Sequence, residues 1–246
     1  MAVKIIYSDL FQKFPGLVFG FSTKIGGVSD GLYCMNLSVS VGDDPKNVKR
    51  NRKLFFDTLE IKNEEVTLQK QIHSTIINYF EKPGHPETGD AMYTDVKNNF
   101  LTISAADCIP IFLFDPVKKI VAAVHSGWKG TSGKILTKTV QELQKKFYID
   151  ISELIAFIGP GISVENYEVG EEVAQFFEGD VKTKKSNKYF LDLKKDNFNQ
   201  LIGSGVRKEN IEVSELCTFR EKDLLHSFRR DGNSSGRMFG IIGMRS

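Results

Sequence analysis

The side chains best suited to chemistry in this sequence are His73, Cys108 and His125, in the stretches QKQIHST, SAADCIP and AAVHSGW. Two imidazoles and a thiolate are suitable zinc ligands, and a site with three protein ligands keeps a fourth position for water or substrate. Separations of 35 and 17 residues match no closed zinc-finger spacing. Spacing alone therefore does not choose between a ligand set and three unrelated packing residues. A Cys between Asp107 and Ile109 also reads as a small buried hydrophobe, and a His after four apolar residues as a hydrogen-bonded core residue. His85, between Gly84 and Pro86, reads as a solvated loop residue, and His226 reads either way.

The second concentration of reactive groups is the tail HSFRRDGNSSGRMFG, where Arg229, Arg230 and Arg237 are interleaved with Asp231 and glycines. Guanidinium forks suit carboxylate or phosphate. An Arg–Asp network pinning the tail is the competing interpretation. Other motifs are excluded. Gly159-Pro160-Gly161 has neither dinucleotide-fingerprint spacing nor a P-loop ending, and reads as a turn closing a strand. Nucleobase deaminases of the zinc type need H-x-E with P-C-x-x-C, whereas His73 precedes Ser74 and Thr75. A GxSxG nucleophile elbow is also missing.

The elements that must position these residues follow from local pattern. Apolar runs rich in β-branched and aromatic residues predict buried strands over 100–104, 109–114, 120–125 and 154–158. Cys108 and His125 then lie at strand ends, where the chain turns polar. Asp115-Pro116 marks a turn joining two of these strands, which makes them antiparallel. Asp44 as cap and Pro45 at the first helical position open a helix bearing Val48, Phe55 and Leu59. A second helix is predicted from 132 to 147, with Ile135, Leu136, Val140, Leu143 and Phe147 on one stripe. A third should follow Tyr167 with Val169, Val173, Phe176 and Phe177 inward, and a fourth should follow Asp192. Segment 81–90 reads as a loop and 179–188 as a polar hairpin tip or mobile loop. Helices that do not follow every strand point to an α+β fold, with residues 1–246 forming one continuous domain.

Composition bounds the partners. The 246 residues are 41% hydrophobic with a formal charge of +2, which lacks the cationic footprint of a nucleic-acid or membrane-surface binder. A small-molecule partner is expected. Ser8, Asp9, Gln12 and Lys13 interrupt the first apolar stretch, so no signal peptide or membrane span is expected and the location reads as cytoplasmic. Cys34, Cys108 and Cys217 are odd in number and form no CxxC, which argues against a disulfide framework. Trp128, the single Trp, reads as core or as a purine-stacking surface, with core favoured.

Taken together, FSTKIGGVSDGLYCMNLS, VGDDPKNVKRNR, TGDAMYTD, SAADCIPIFLFDP, AAVHSGWKGT, IGPGISVENYEVG, LDLKKDNFNQLIGSGV and CTFREKDLLHSFRRDGNSSGR resemble, in order and spacing, the bacterial laccase-domain family. It is also called the polyphenol oxidase or peptidoglycan-editing-factor family. The resemblance covers nearly the whole chain. It implies an α+β domain of mixed, largely antiparallel sheets, similar in layering to the catalytic domain of deamidating toxins. It also implies a zinc ion held by His73, Cys108 and His125. Asp107 becomes a substrate-orienting group or a structural one.

The implied activity is purine nucleoside chemistry: phosphorolysis of adenosine, inosine and methylthioadenosine, with adenosine deamination, on a nucleoside and inorganic phosphate. Candidate phosphate donors are Arg229, Arg230, Arg237, Lys24 and Lys129. The family commonly has Arg where Lys24 and Lys129 stand, and Lys keeps the charge but loses the bidentate fork. Two other enzymatic readings compete. In an amidase editing cell-wall precursors, Cys108 and His125 serve as nucleophile and base with Asp107 beside them. A copper-dependent phenol oxidase needs many His ligands, and the chain has His 4; copper could still enter a thiolate site by mismetallation. A non-enzymatic metal or nucleoside sensor ranks below these.

Overall fold

Apolar runs that stay buried along their whole length must be covered on both faces, and this governs the architecture. The computed structural model describes residues 2–84 and 87–246, so His85 lies outside the described residues. Strands β1 (Ile5–Ile6), β2 (Leu17–Ser22), β3 (Val66–Leu68), β4 (Ile77–Tyr79), β5 (Ala91–Thr94), β6 (Phe100–Ala105) and β7 (Ile109–Asp115) occupy the first half. They are followed by β8 (Ile120–Ser126), β9 (Ile155–Ile158), β10 (Glu168–Val169), β11 (Lys182–Lys185), β12 (Lys188–Leu191), β13 (Ile211–Val213) and β14 (Met238–Met244). The helices are α1 (Pro45–Thr58), α2 (Trp128–Ser132), α3 (Ile135–Phe147), α4 (Glu171–Ala174), α5 (Leu193–Ser204) and α6 (Phe228–Asp231).

The strands form a five-stranded sheet in the order β1-β2-β14-β6-β3, a six-stranded sheet in the order β13-β9-β7-β8-β5-β4, and a small sheet β10-β12-β11. Most pairs are antiparallel; β3 with β6, β4 with β5 and β13 with β9 are parallel. This is the mixed α+β arrangement expected. Strand periodicity sorts side chains into layers. In β7, Ile109, Ile111 and Leu113 face α3 and α5, where Leu136, Val140 and Leu201 cover them. Phe112 and Phe114 face the five-stranded sheet, packing with Phe19, Leu101 and Ile242. The outer face of that sheet carries Phe100, Phe239 and Ile241 against Phe55 and Phe56 of α1. Gly240 of β14 is needed between the sheets, because a Cβ there would lie 2.3 Å from Phe112 Cζ.

The β7–β8 hairpin turns as expected: Asp115 Oδ1 accepts from Val117 N at 2.9 Å and Lys118 N at 2.5 Å. Asp44 caps α1 through Lys46 N at 2.8 Å, with Pro45 next. Replacing Asp44 with Ala should cost about 1 kcal/mol in denaturant unfolding, with metal content unchanged.

Two helix boundaries differ from expectation. The second helix begins at Ile135, because Lys134 at φ 59° breaks the chain after α2. The third is only α4, because Glu168 and Val169 pair with Phe190 and Tyr189 of β12 and Gly170 caps a single turn. Phe177 is buried as expected, but Phe176 is 57% exposed. Segment 179–188 contributes most of the β11–β12 hairpin, turning at Ser186 with φ 54°.

Candidate metal centre

Cys108 follows β6 in the tight turn into β7, and His125 lies on β8 directly opposite Pro110. The β7–β8 pairing therefore brings Cys108 and His125 together across the sheet. His73 arrives from the loop after β3 with φ 59°, while Asp107 holds φ 90° beside Cys108. Left-handed conformations at non-glycine residues cost about 1–3 kcal/mol each and persist only where neighbours enforce them.

The ligand atoms of the three side chains lie within 4.8 Å of one another, with Cys108 Sγ 3.8 Å from His73 Nε2. A tetrahedral zinc with bonds of about 2.3 Å to sulfur and about 2.0 Å to nitrogen needs an S···N separation of roughly 3.5 Å. The donor set and spacing therefore fit a single metal ion. No other group of three or more His, Cys, Asp or Glu among the described residues does so. His73 is exposed and His125 is 4% exposed, so the open side of the group faces solvent beside His73. Gly127, which caps α2, packs directly against the group. A Cβ there would stand 2.9 Å from Cys108 Sγ and 3.1 Å from His73 Cδ2.

Asp90 ties the group together. Fully buried, its carboxylate accepts from His73 N at 2.9 Å, Ser74 N at 2.6 Å, Ser74 Oγ at 2.7 Å and Ile72 N at 3.3 Å. It also meets His125 Nδ1 at 2.9 Å, and Asp90 O accepts from His125 N at 2.7 Å. One carboxylate thus fixes the His73 loop and sets the His125 tautomer, leaving Nε2 as the free lone pair. Sequence reasoning missed Asp90 as an individual residue. Its available signal was an acidic side chain entering the buried run AMYT.

Charge follows geometry. Burial pushes the Cys108 thiol up, but His125 and His73 beside it more than offset this and bring it down to about 6. Burial pulls His125 down, while the Cys108 charge and Asp90 raise it to about 9. In metal-free protein the thiolate persists down to about pH 6, and the thiolate is the nucleophile. Iodoacetamide labelling of Cys108 should rise through about pH 6 and saturate well below the ordinary thiol range. Peptide mass analysis after timed quenching reads this, and a midpoint near 9 would contradict the assigned pairing.

The other expected site residues separate clearly. Both Asp107 oxygens are engaged, by Thr218 Oγ1 at 2.5 Å and Arg229 N at 2.6 Å, so Asp107 braces the Cys108 turn against α6. Arg229 donates Nη1 to Glu168 O at 2.8 Å, and its Cζ lies 5.2 Å over Tyr167. Arg237 donates Nη1 to Ser235 O at 2.8 Å and Gly236 O at 3.0 Å, and its Cζ lies 5.4 Å over Phe228 of α6; burial lowers its pKa. Arg230 is different: all five of its N–H donors go to Asp231 and the carbonyls of Thr218, Phe219 and Leu225. It is the Arg–Asp structural network, with no donor left for phosphate. Lys24 Nζ reaches Lys222 O at 3.1 Å, and Lys129 Nζ lies 5.5 Å over Trp128; no hydrogen bond ties either to the triad.

His226 is buried with both ring nitrogens unpartnered, and burial with Lys24, Arg237 and Arg230 pushes it down to about 3. It stands apart from the ligand group. Trp128 is half-buried, packing against the core beneath α3 and α5 as favoured from sequence while its outer face stacks on Phe176 at 6.0 Å. All three cysteines are free. Among the described residues no helix is long and apolar enough to cross a membrane.

Comparison with known proteins places this geometry. A Bacillus subtilis protein named purine nucleoside phosphorylase YlmD is 35% identical over 95% of this chain and 91% of its own length. A Clostridium acetobutylicum purine nucleoside phosphorylase is 37% identical over 96% of this chain and 95% of its own. The crystal structure of YlmD from Geobacillus stearothermophilus superposes with a TM-score of 0.92 at 32% identity, covering 97% of this chain and 94% of that one. The profile of the family described as multi-copper polyphenol oxidoreductase laccase matches residues 18–245, and with these relatives it shows that the chain belongs to that family.

Proposed function

We propose that the chain is a zinc-dependent purine nucleoside phosphorylase acting on adenosine, inosine and methylthioadenosine, with adenosine deamination as a second activity. The observation that carries this reading is an open His–Cys–His ligand group with Arg229 on α6, the helix that Asp107 ties to the Cys108 turn, and Arg237 over Phe228 of the same helix. Similarity to proteins named purine nucleoside phosphorylase supports it. His73, Cys108 and His125 would hold the metal, which supplies a Lewis acid at the solvent side of the group.

The chain's own groups do the rest. Arg237 and Arg229 orient inorganic phosphate, whose oxygen forms a bond to ribose C1′ as the C1′–N9 bond breaks and the proton of the hydrogen phosphate passes to the departing purine. Asp107 acts by holding the Cys108 turn against α6, and Asp90 by orienting the His125 ring and holding the backbone of the His73 loop. Lys24 and Lys129 fall to a peripheral role. Deamination needs the base turned so that C6, not C1′, meets the metal. Three free cysteines accord with a cytoplasmic location.

Chromatography of adenosine incubated with and without phosphate tests the reading. Phosphate-dependent adenine with ribose 1-phosphate is the expected result, and inosine marks the second activity. Adenosine untouched by protein holding about one zinc per chain, the content of such a site, overturns it.

One observation favours a second reading. Asp90–His125–Cys108 is the arrangement of a base oriented by a carboxylate beside an activated thiol, as a Cys–His amidase requires. A metal-bound thiolate is not free to attack, so amide hydrolysis that increases when metal is chelated would select this reading. A copper phenol oxidase has weaker support, because four histidines cannot ligate several coppers. Weak oxidation would arise from copper taken up in place of zinc.

A further inference from the structure

The end of α3 meets the ends of β4 and β5 in a group of three rings. Tyr79 and Tyr93 are directly opposite one another on the two parallel strands, with ring centroids 5.3 Å apart and planes tilted by 34°. Phe147, the last residue of α3, lies 6.1 Å from Tyr79 and 6.0 Å from Tyr93, with its plane turned 63° and 87° from theirs. Two facing rings with a third set across both is the arrangement of an aromatic cage. Its walls are fixed by the fold: strand pairing places both tyrosines, Tyr93 is buried, and the Tyr79 hydroxyl donates to Asp95 Oδ1 at 2.7 Å. That hydrogen bond, with burial and the charges of Asp95 and Glu81, pushes the Tyr79 hydroxyl up to about 12, so it stays a donor.

An ammonium of the chain itself lies on these rings. Lys146 Nζ is 2.8 Å from the Tyr79 centroid and 5.6 Å from those of Tyr93 and Phe147, inside the roughly 6 Å reach of cation–π attraction for all three. Every other cation stacked on a ring among the described residues has one ring only. A carboxylate stands close by. Glu142 lies one turn earlier on α3, in the i,i+4 relation that ordinarily pairs an acid with a lysine, and its charge raises the Tyr93 pKa after burial does. Yet Lys146 enters none of the ion pairs among the described residues. A primary ammonium carries three N–H donors, which ring faces leave to water. The rings suit better a cation without N–H groups, whose charge is spread over methyl groups.

We propose that Tyr79, Tyr93 and Phe147 form a binding site for a small quaternary ammonium compound, with Lys146 covering the rings when no ligand is bound. Lys146 is exposed and carries its charge on a flexible four-carbon stem, so a ligand reaches the rings from solvent by displacing it. As a tethered competitor it lowers the apparent affinity by the fraction of time it occupies them. Asp95 and Glu142 add negative charge at the margin, which favours a cation over a neutral molecule of the same shape. The site stands independently of the purine nucleoside reading.

Calorimetric titration of zinc-loaded protein with choline tests this, beside the neutral isostere in which carbon replaces the choline nitrogen, at an ionic strength fixed with sodium chloride. Wild type should bind choline with a dissociation constant on the order of 1 mM, and the isostere about tenfold more weakly or worse. Lys146→Gln should tighten choline by about threefold or more, whereas Tyr79→Leu should weaken it by about tenfold. Melting temperatures control for folding, and Lys146→Gln, at an exposed position, keeps the test valid should Tyr79→Leu unfold. No saturable binding by wild type overturns the proposal, and binding by Lys146→Gln alone does so too, because Lys146 is then the permanent occupant. Equal binding of the isostere, or an affinity unchanged in Lys146→Gln or in folded Tyr79→Leu, also overturns it. Sedimentation with phosphatidylcholine vesicles decides the source of the group: the protein should stay in the supernatant, and co-sedimentation that Tyr79→Leu abolishes would assign the site to a lipid headgroup instead.

Discussion

Replacing Cys108 with alanine is expected to reduce bound zinc from about one per chain to a small fraction of that and to abolish turnover with it. The thiolate is the only anionic ligand of the group, and its removal leaves two imidazoles, one of them on an exposed loop. The loss should exceed the roughly 10–100-fold drop in affinity that follows removal of an outer hydrogen-bond partner. Elemental analysis after purification without added metal reads occupancy, and phosphate-dependent adenine release reads activity. The half-buried position accepts the smaller side chain, so the variant should stay folded. Wild-type zinc content in Cys108→Ala would remove the thiol from the ligand set.

The second large effect is expected at Asp90. Replacement with alanine strips a buried carboxylate from the His73 and Ser74 amides, the Ser74 hydroxyl and the His125 ring together. Breaking a buried charged network of this kind costs about 3–5 kcal/mol. Zinc affinity should also fall, by about 10–100-fold, because the His125 tautomer and the His73 loop lose their support. Burial pushes the Asp90 carboxyl up, but hydrogen bonds from His125 and Ser74 win and hold it at about 2, below the ordinary carboxyl value of 3.8. A carboxyl depressed on folding stabilises the native state above its unfolded pKa and ceases to do so as pH falls through its folded one. The wild-type advantage over Asp90→Ala should therefore shrink as pH falls from about 4 towards 2 in urea unfolding. An advantage independent of pH would contradict an ionised Asp90.

The parts of the fold that showed in the sequence are those with purely local causes. Strands β6, β7 and β8 were visible because both faces are covered, which makes the runs continuously apolar. The turn at Asp115 and the cap at Asp44 each rest on a side chain bonding to an amide two or three residues on. Proximity at the metal centre has no such local cause. Pro110 opposite His125 is a matter of strand register, and His73 joins only through the grip of Asp90 from another element. Family resemblance, not spacing, pointed to the triad. The tail arginines could not be told apart either, because what removes Arg230 is a set of carbonyls brought round by the 218–225 loop. Likewise, the apolar stripe after Tyr167 reads as a helix in the sequence because β12, which claims Glu168 and Val169, lies some twenty residues downstream.

The position of β14 bears on how the molecule is made. It lies in the middle of the five-stranded sheet, bonded to β2 on one side and β6 on the other, although residues 238–244 are synthesised long after both of them. While the ribosome is still adding them, β2 and β6 have no partner between them and the Phe112 ring lacks the Gly240 backbone it packs over. The nascent chain must therefore keep two open strand edges until these residues clear the exit tunnel. Chaperone engagement is most needed during that interval, and a ribosome stalled shortly before residue 238 releases a product prone to aggregate.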